Sequence, residues 1–214
     1  SGYLCAIQLL ADLTGFALNA SFTDKSHTDL TALRSSATLP LQHAIKTKIF
    51  RGDGEGRFVP IHRSIAEYLA AVHIGSLVEQ RGLPVGRVLA LMVGKDGGVV
   101  TALRGLYAWL AVHCHTNRSA LVERDPLGIV LYGDVRNFSS DDKQEILRCL
   151  GNEAKQYAGF RSQDWFSTPF GAFGTADMEP NFREVMGSPA RDDAHQAVAS
   201  CVIDALCHGE PMHT

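Results

Sequence analysis

The sequence predicts a mainly helical protein, in which two short helices and one β-hairpin precede an irregular run of paired helices. Three observations point that way. Apolar residues recur at three- and four-residue steps along most of the chain. The clearest change of period surrounds a glycine-rich turn, Gly52-Asp53-Gly54-Glu55-Gly56. After Pro84, helical patterns follow one another with no strand-like stretch between them. At 214 residues, 45% hydrophobic and 20% charged, the chain buries enough apolar surface for a full core, which excludes disorder as its main state.

The first helix is expected from Tyr3 to Leu13, with Leu4, Ile7, Leu10 and Ala11 on one face. A polar interval with Ser21, Thr23, Asp24, Ser26 and Thr28 separates it from a shorter helix through Leu39, Leu41 and Ile45. Lys48-Ile49-Phe50 and Arg57-Phe58-Val59 flank the glycine turn as the arms of a hairpin. Residues 46–62 are expected to hold the only substantial β structure, and helices plus hairpin make a winged-helix-like unit over residues 1–82. Ile61, Ile65, Leu69, Val72 and Leu77 form the stripe of the next helix, which stops at Gly82-Leu83-Pro84.

Residues 83–214 form the second region. Pro84 opens a helix with Val88, Leu91 and Met92 as its buried face, ended by Gly94-Lys95-Asp96-Gly97-Gly98. Val100–His113 buries Leu103, Leu106, Tyr107, Leu110 and Ala111. Ser139 and Asp142 stand at capping-box spacing before a helix with Ile146, Leu147 and Leu150. Asp192–Cys207 is the last helix, and between Phe160 and Gly187 the glycine- and aromatic-rich stretch Ser167–Gly174 reads as a packed long loop. No fixed period links these helices, so the predicted α-solenoid is irregular.

Lys plus Arg number 20 against 23 for Asp plus Glu, so no global field favours nucleic acid or an anionic membrane. The longest apolar run, Val85–Val93, is too short to span a bilayer and carries Arg87, which predicts a soluble protein. Five widely spaced cysteines, Cys5, Cys114, Cys149, Cys201 and Cys207, argue against a disulfide scaffold and for a reducing cytoplasm. The opening residues, Ser1-Gly2-Tyr3-Leu4, have neither an initiator Met nor a signal-peptide pattern, so the chain is expected to be a segment of a longer protein.

The sixteen residues from Gly56 to Ala71, GRFVPIHRSIAEYLAA, carry an aromatic-containing strand, then His, Ser, an apolar residue, an acidic residue, an aromatic and small residues on one helix. This pattern resembles the end of the winged-helix region of NACHT-type STAND NTPases, the NLR-like switch ATPases. Leu103–Ala111 and Asp125–Val135 are similar to the HEAT-like helical region that follows this module in bacterial relatives. The resemblance implies a non-catalytic regulatory segment whose parent protein binds ADP or ATP with magnesium. Its implied partners are the NTPase core of the same polypeptide and a protein ligand or a further copy, in a signalling or defence role. It also implies that His62 reaches the β-phosphate of ADP in the closed state.

The residues themselves are compatible with that role. His62 falls where a strand ends and a helix begins, so its ring can meet an anion at the positive end of the helix dipole. A helix cap or a packing contact is the plainer reading. Arg63 and Glu67, four apart, read as a surface ion pair, and Tyr68, Leu69 and Ala70 as core. Gly94-Lys95 lacks the upstream glycine and following hydroxyl of a phosphate-binding loop, so no catalytic residue is assigned and ATP hydrolysis by this segment is not expected.

No metal site is assigned either. His113-Cys114-His115 would point about 100° apart on a helix, and Cys201, Cys207, His208 and His213 lack zinc-site spacing. Asp141, Asp142, Asp192 and Asp193 read as helix-terminal charges, and Asp53 and Glu55 as turn residues. Ser64 lies in no nucleophile elbow. Trp109 reads as core and Trp165 as an exposed anchor. An independent α-solenoid scaffold for a protein partner is the alternative function.

Overall fold

The computed structural model describes residues 1–33, 38–162, 168–189 and 192–211, so Trp165 and His213 lie outside the described residues. It is mainly helical, with ten helices among the described residues and one small four-stranded sheet.

Helix α1 (Gly2–Leu10) leads into β1 (Gly15–Ala17) and, after a single 3-10 turn, β2 (His27–Asp29). Helix α2 (Thr38–Ile45) precedes the hairpin of β3 (Phe50–Gly52) and β4 (Arg57–Pro60). The expected hairpin is present, but it is not the only β structure. β1 pairs antiparallel with β4 and parallel with β2, giving the order β2-β1-β4-β3. Strands of three residues are too short to display a two-residue period, and His27-Thr28-Asp29 has a polar composition that disfavours strands in isolation. A Cβ on Gly15 would collide with the Phe58 carbonyl, so glycine permits the close approach of β1 and β4.

Helix α3 (Arg63–Arg81) runs for 19 residues and ends on Gly82 in the left-handed region (φ 69°, ψ 25°), where the Leu83 N–H donates to the Leu77 carbonyl at 3.0 Å. Its length and stop match expectation, but its orientation does not. The buried face consists of Ala66, Ala70, Ala71, Ile74, Gly75 and Val78, while Ile61, Ile65, Tyr68 and Val72 are exposed. Small residues face inward because α1 and α5 pack on α3 from either side at close range. The large apolar residues of the period are thereby left outside. Leu69 packs partly against the core and Ala70 is buried, so of the three expected core residues only Tyr68 lies on the surface. A similar rotation affects α1, whose buried residues are Leu4, Cys5, Ala6 and Leu9, with Ile7 and Leu10 half-buried and Ala11 exposed.

The remaining helices are α4 (Val85–Leu89), α5 (Arg104–His113), α6 (Arg118–Arg124), α7 (Pro126–Tyr132), α8 (Ser140–Gln156), α9 (Glu179–Gly187) and α10 (Asp193–His208). Val88 and Met92 are buried as expected, but Leu91 lies outside on the solvent. In the Ser167–Gly174 stretch expected as a packed loop, Thr168–Ala172 forms a short 3-10 helix with Phe170 and Phe173 fully buried, and α9 follows it. Helices pack pairwise: α1 on α3, α3 on α5, α5 on α7, α6 on α8 and α8 on α10. One continuous core runs from Leu4 to Ala205 and crosses the stop at Gly82.

Caps explain where several helices begin. The Ser139 Oγ accepts from the Asp142 N–H at 3.2 Å, and its hydroxyl donates to the Asp142 carboxylate at 2.8 Å. Asp125 accepts from the Gly128 N–H at 2.9 Å ahead of Pro126, and Asp192 accepts from the His195 N–H at 2.8 Å.

Arg118 ties the α5–α6 corner to α8. Its buried guanidinium donates to the Ala111 and Val112 carbonyls at 2.9 and 3.1 Å, reaches Asp142 at 2.6 Å and lies 4.1 Å from the Phe138 ring centroid. Arg118→Ala strands those acceptors and is expected to cost about 2–4 kcal/mol, read by chemical denaturation. A change below about 0.5 kcal/mol, the usual size at surface sites, would contradict this account of the corner.

Candidate functional site

His62 occupies the N-cap position of α3 with extended backbone (φ −134°, ψ 136°). Its imidazole makes no cap hydrogen bond and is exposed. The next residue leads straight into the fold. Arg63 Nε donates to Glu67 Oε1 at 2.8 Å, and a second guanidinium nitrogen donates to the Ala102 carbonyl. The Glu67 side chain is only 12% exposed and lies against Gly105, in the first turn of α5, where negative charge complements the helix dipole. The expected surface pair is therefore a tie between the start of α3 and the start of α5.

Beside this terminus the end of α1, the hairpin and α3 enclose a cleft of about 310 Å³ lined by Gln8, Thr14, Arg51, Asp53, Pro60 and Arg63. His62 adjoins the cleft in sequence but does not line it. Two guanidinium groups and a carboxylate share its walls. Gln8 donates through Nε2 to the Leu13 carbonyl at 2.6 Å, leaving Oε1 buried without a hydrogen-bond partner among the described residues. This arrangement can bind and orient a polar group. It presents both cationic donors and acceptors to an occupant.

Behind Asp53 lies a polar network that sequence reasoning missed. His27 is 4% exposed. Its Nδ1 stands 3.0 and 3.1 Å from the two Asp24 carboxylate oxygens, and its Nε2 stands 3.3 Å from Asp53 Oδ2. Asp24 also accepts from the backbone N–H groups of Ser26 and His27, each at 2.8 Å, from the Ser26 hydroxyl at 2.9 Å and from Arg57 Nη1 at 2.8 Å. The bond from His27, together with those from Ser26, holds the Asp24 carboxyl far below the usual carboxylate range. The available sequence signal was the Asp24-x-x-His27 spacing, which lets an aspartate close a turn on the N–H groups that follow it.

The other candidates disperse. The His113 ring meets Tyr68 edge-on at 5.4 Å and stacks over Trp109 at 6.5 Å, and burial lowers its pKa. Cys114 is buried, which pushes its thiol up to about 11. His115 Nδ1 contacts Arg118 Nη2 at 2.7 Å. These three adjacent residues therefore face different surroundings. Burial also raises Cys201 to about 11, whereas Cys207 is exposed. Among the described residues no group of three or more His, Cys, Asp or Glu side chains could hold a metal ion. Lys95 sits in a turn closed by the Asp96 carboxylate accepting from the Gly98 N–H at 3.1 Å.

In comparisons with protein-family models, curated proteins and solved structures, nothing matches this chain. Among the described residues no helix is long and apolar enough to cross a membrane.

The lowered Asp24 pKa has a defined sign. Because the folded value lies below the unfolded one near 3.9, Asp24 stabilises the fold above that pH and ceases to do so as pH falls through the folded value. The stability gap between the protein and Asp24→Asn should therefore be present above about pH 4 and narrow below it, measured by denaturant titration across pH. A gap that does not change with pH would contradict this origin.

Proposed function

We propose that this chain is a non-catalytic sensor and relay segment of a cytoplasmic NACHT-type STAND ATPase of the bacterial kind. In this reading ADP or ATP and magnesium bind in the NTPase core of the same polypeptide, and His62 reads the nucleotide state. The observation that carries the reading is the exposed imidazole at the N-cap of α3, which makes no cap hydrogen bond and stands where the Gly56–Ala71 likeness assigns a phosphate contact. Arg63 and Glu67 supply the relay, because they join this terminus to α5 and so to the helical arm. A phosphate held by His62 would gain a charge-assisted bond in the closed state alone, so nucleotide identity would bias the position of the whole segment.

A second reading, a scaffold for a protein partner, draws on the apolar face that Ile65, Tyr68 and Val72 expose on α3, with Ile61 exposed just before it. The two readings predict different sensitive residues.

In the full-length parent protein, His62→Ala should weaken ADP binding about 10- to 150-fold, matching loss of a bond of roughly 1.5–3 kcal/mol from one state, and lower the trigger needed for activation. Titration calorimetry with ADP and an activation assay read both effects. Unchanged ADP affinity and trigger dependence would overturn the sensing role, and loss of partner capture in Tyr68→Asp alone would favour the scaffold.

A further inference from the structure

The network behind the cleft contains an unbalanced contact. Asp24 is ionised and can only accept, so the Nδ1 of His27, within 3.1 Å of both its oxygens, must carry a proton. A neutral ring then has its lone pair on Nε2, which faces the Asp53 carboxylate at 3.3 Å. Nε2 is buried and has no aligned hydrogen-bond partner among the described residues, so this contact is coulombic and its sign follows the ring's charge. Two carboxylates, Asp24 and Asp53, surround the ring against one guanidinium, Arg57, which leaves one negative charge uncompensated until Nε2 is protonated. Lys25, Asp29, Arg51 and Glu55, on the same segments, make no ion pair with the ring among the described residues.

We propose that His27 is a proton-operated latch between the β2 edge of the sheet and the hairpin turn at its other edge. With Nε2 protonated, the imidazolium bridges Asp24 and Asp53 and draws the turn against β2. With Nε2 deprotonated, a lone pair opposes the Asp53 carboxylate and the turn loosens. Because Asp53 also lines the cleft with Arg51 and Arg63, the latch sets which carboxylate orientation those guanidinium groups meet.

The test is amide hydrogen exchange on the chain itself, expressed as protection factors at about pH 5.5 and about pH 8. The reporter is the Asp53 N–H, which donates to the Arg57 carbonyl at 2.9 Å. Protection should fall about fivefold from the lower to the higher pH, the size expected for one half-exposed ion pair. In His27→Gln, which cannot carry the charge, protection should stay at the lower level at both pH values. Asp53 is half-exposed, so Asp53→Asn leaves the fold intact and should also abolish the pH dependence even if His27→Gln fails to fold. Equal protection at both pH values in the unmutated chain, or a pH dependence that persists in Asp53→Asn, would overturn the latch.

Discussion

Everything in this molecule hangs on the close packing of α1 and α5 against the small-residue face of α3. Ala66, Ala70, Ala71 and Gly75 make up most of that face, with Ile74 and Val78 as its two larger members, and let the neighbouring helices approach closely. A Cβ added at Gly75 would come within 2.9 Å of the His113 Cβ, and one added at Gly2 would come within 2.9 Å of the His73 Cβ. Such distances leave no room for a methyl group without movement of a helix. The burial of α3 on two sides therefore fixes where its ends lie, and its N-terminus is where strand β4 delivers His62.

From that constraint follow both the site and its exposed flank. The sheet hangs from the N-terminal end of α3 and encloses the cleft with α1, while Arg63 and Glu67 carry the same end across to α5. Because the narrow side of α3 faces inward, the bulky side faces outward. Tyr68 then lies across the seam between helices, edge-on to Trp109 at 5.1 Å and to His113 at 5.4 Å. Small residues inside and large ones outside are two consequences of one packing choice.

That choice also explains what the sequence could disclose. Helix positions were legible wherever a stop or cap accompanied the period, as at Gly82, Ser139 and Asp192. The hairpin was legible because a glycine-rich turn separates its arms. Which face of α3 is buried was not, since a periodicity reading assigns large apolar residues to the core and cannot see a neighbour that demands alanine and glycine. The strands β1 and β2 escaped notice because three residues hold too little pattern and their pairing is set by contacts distant in sequence. In the candidate site His62 stood out through its local motif, whereas the His27 network joins Asp24, Asp53 and Arg57, which a linear reading leaves in separate loops and strands. Its buried histidine depends on tertiary placement alone.

The most direct measurement of this account is residue-resolved hydrogen exchange on Gly75→Val. Filling the space against His113 should lower the opening free energy by roughly 1–3 kcal/mol, the usual cost of overpacking. If α3 unites sheet and helical arm, amides of β1 and β4 and amides of α5 through α8 should lose protection by the same factor. Loss confined to α3 and α5, with the sheet and α8 unchanged, would contradict it.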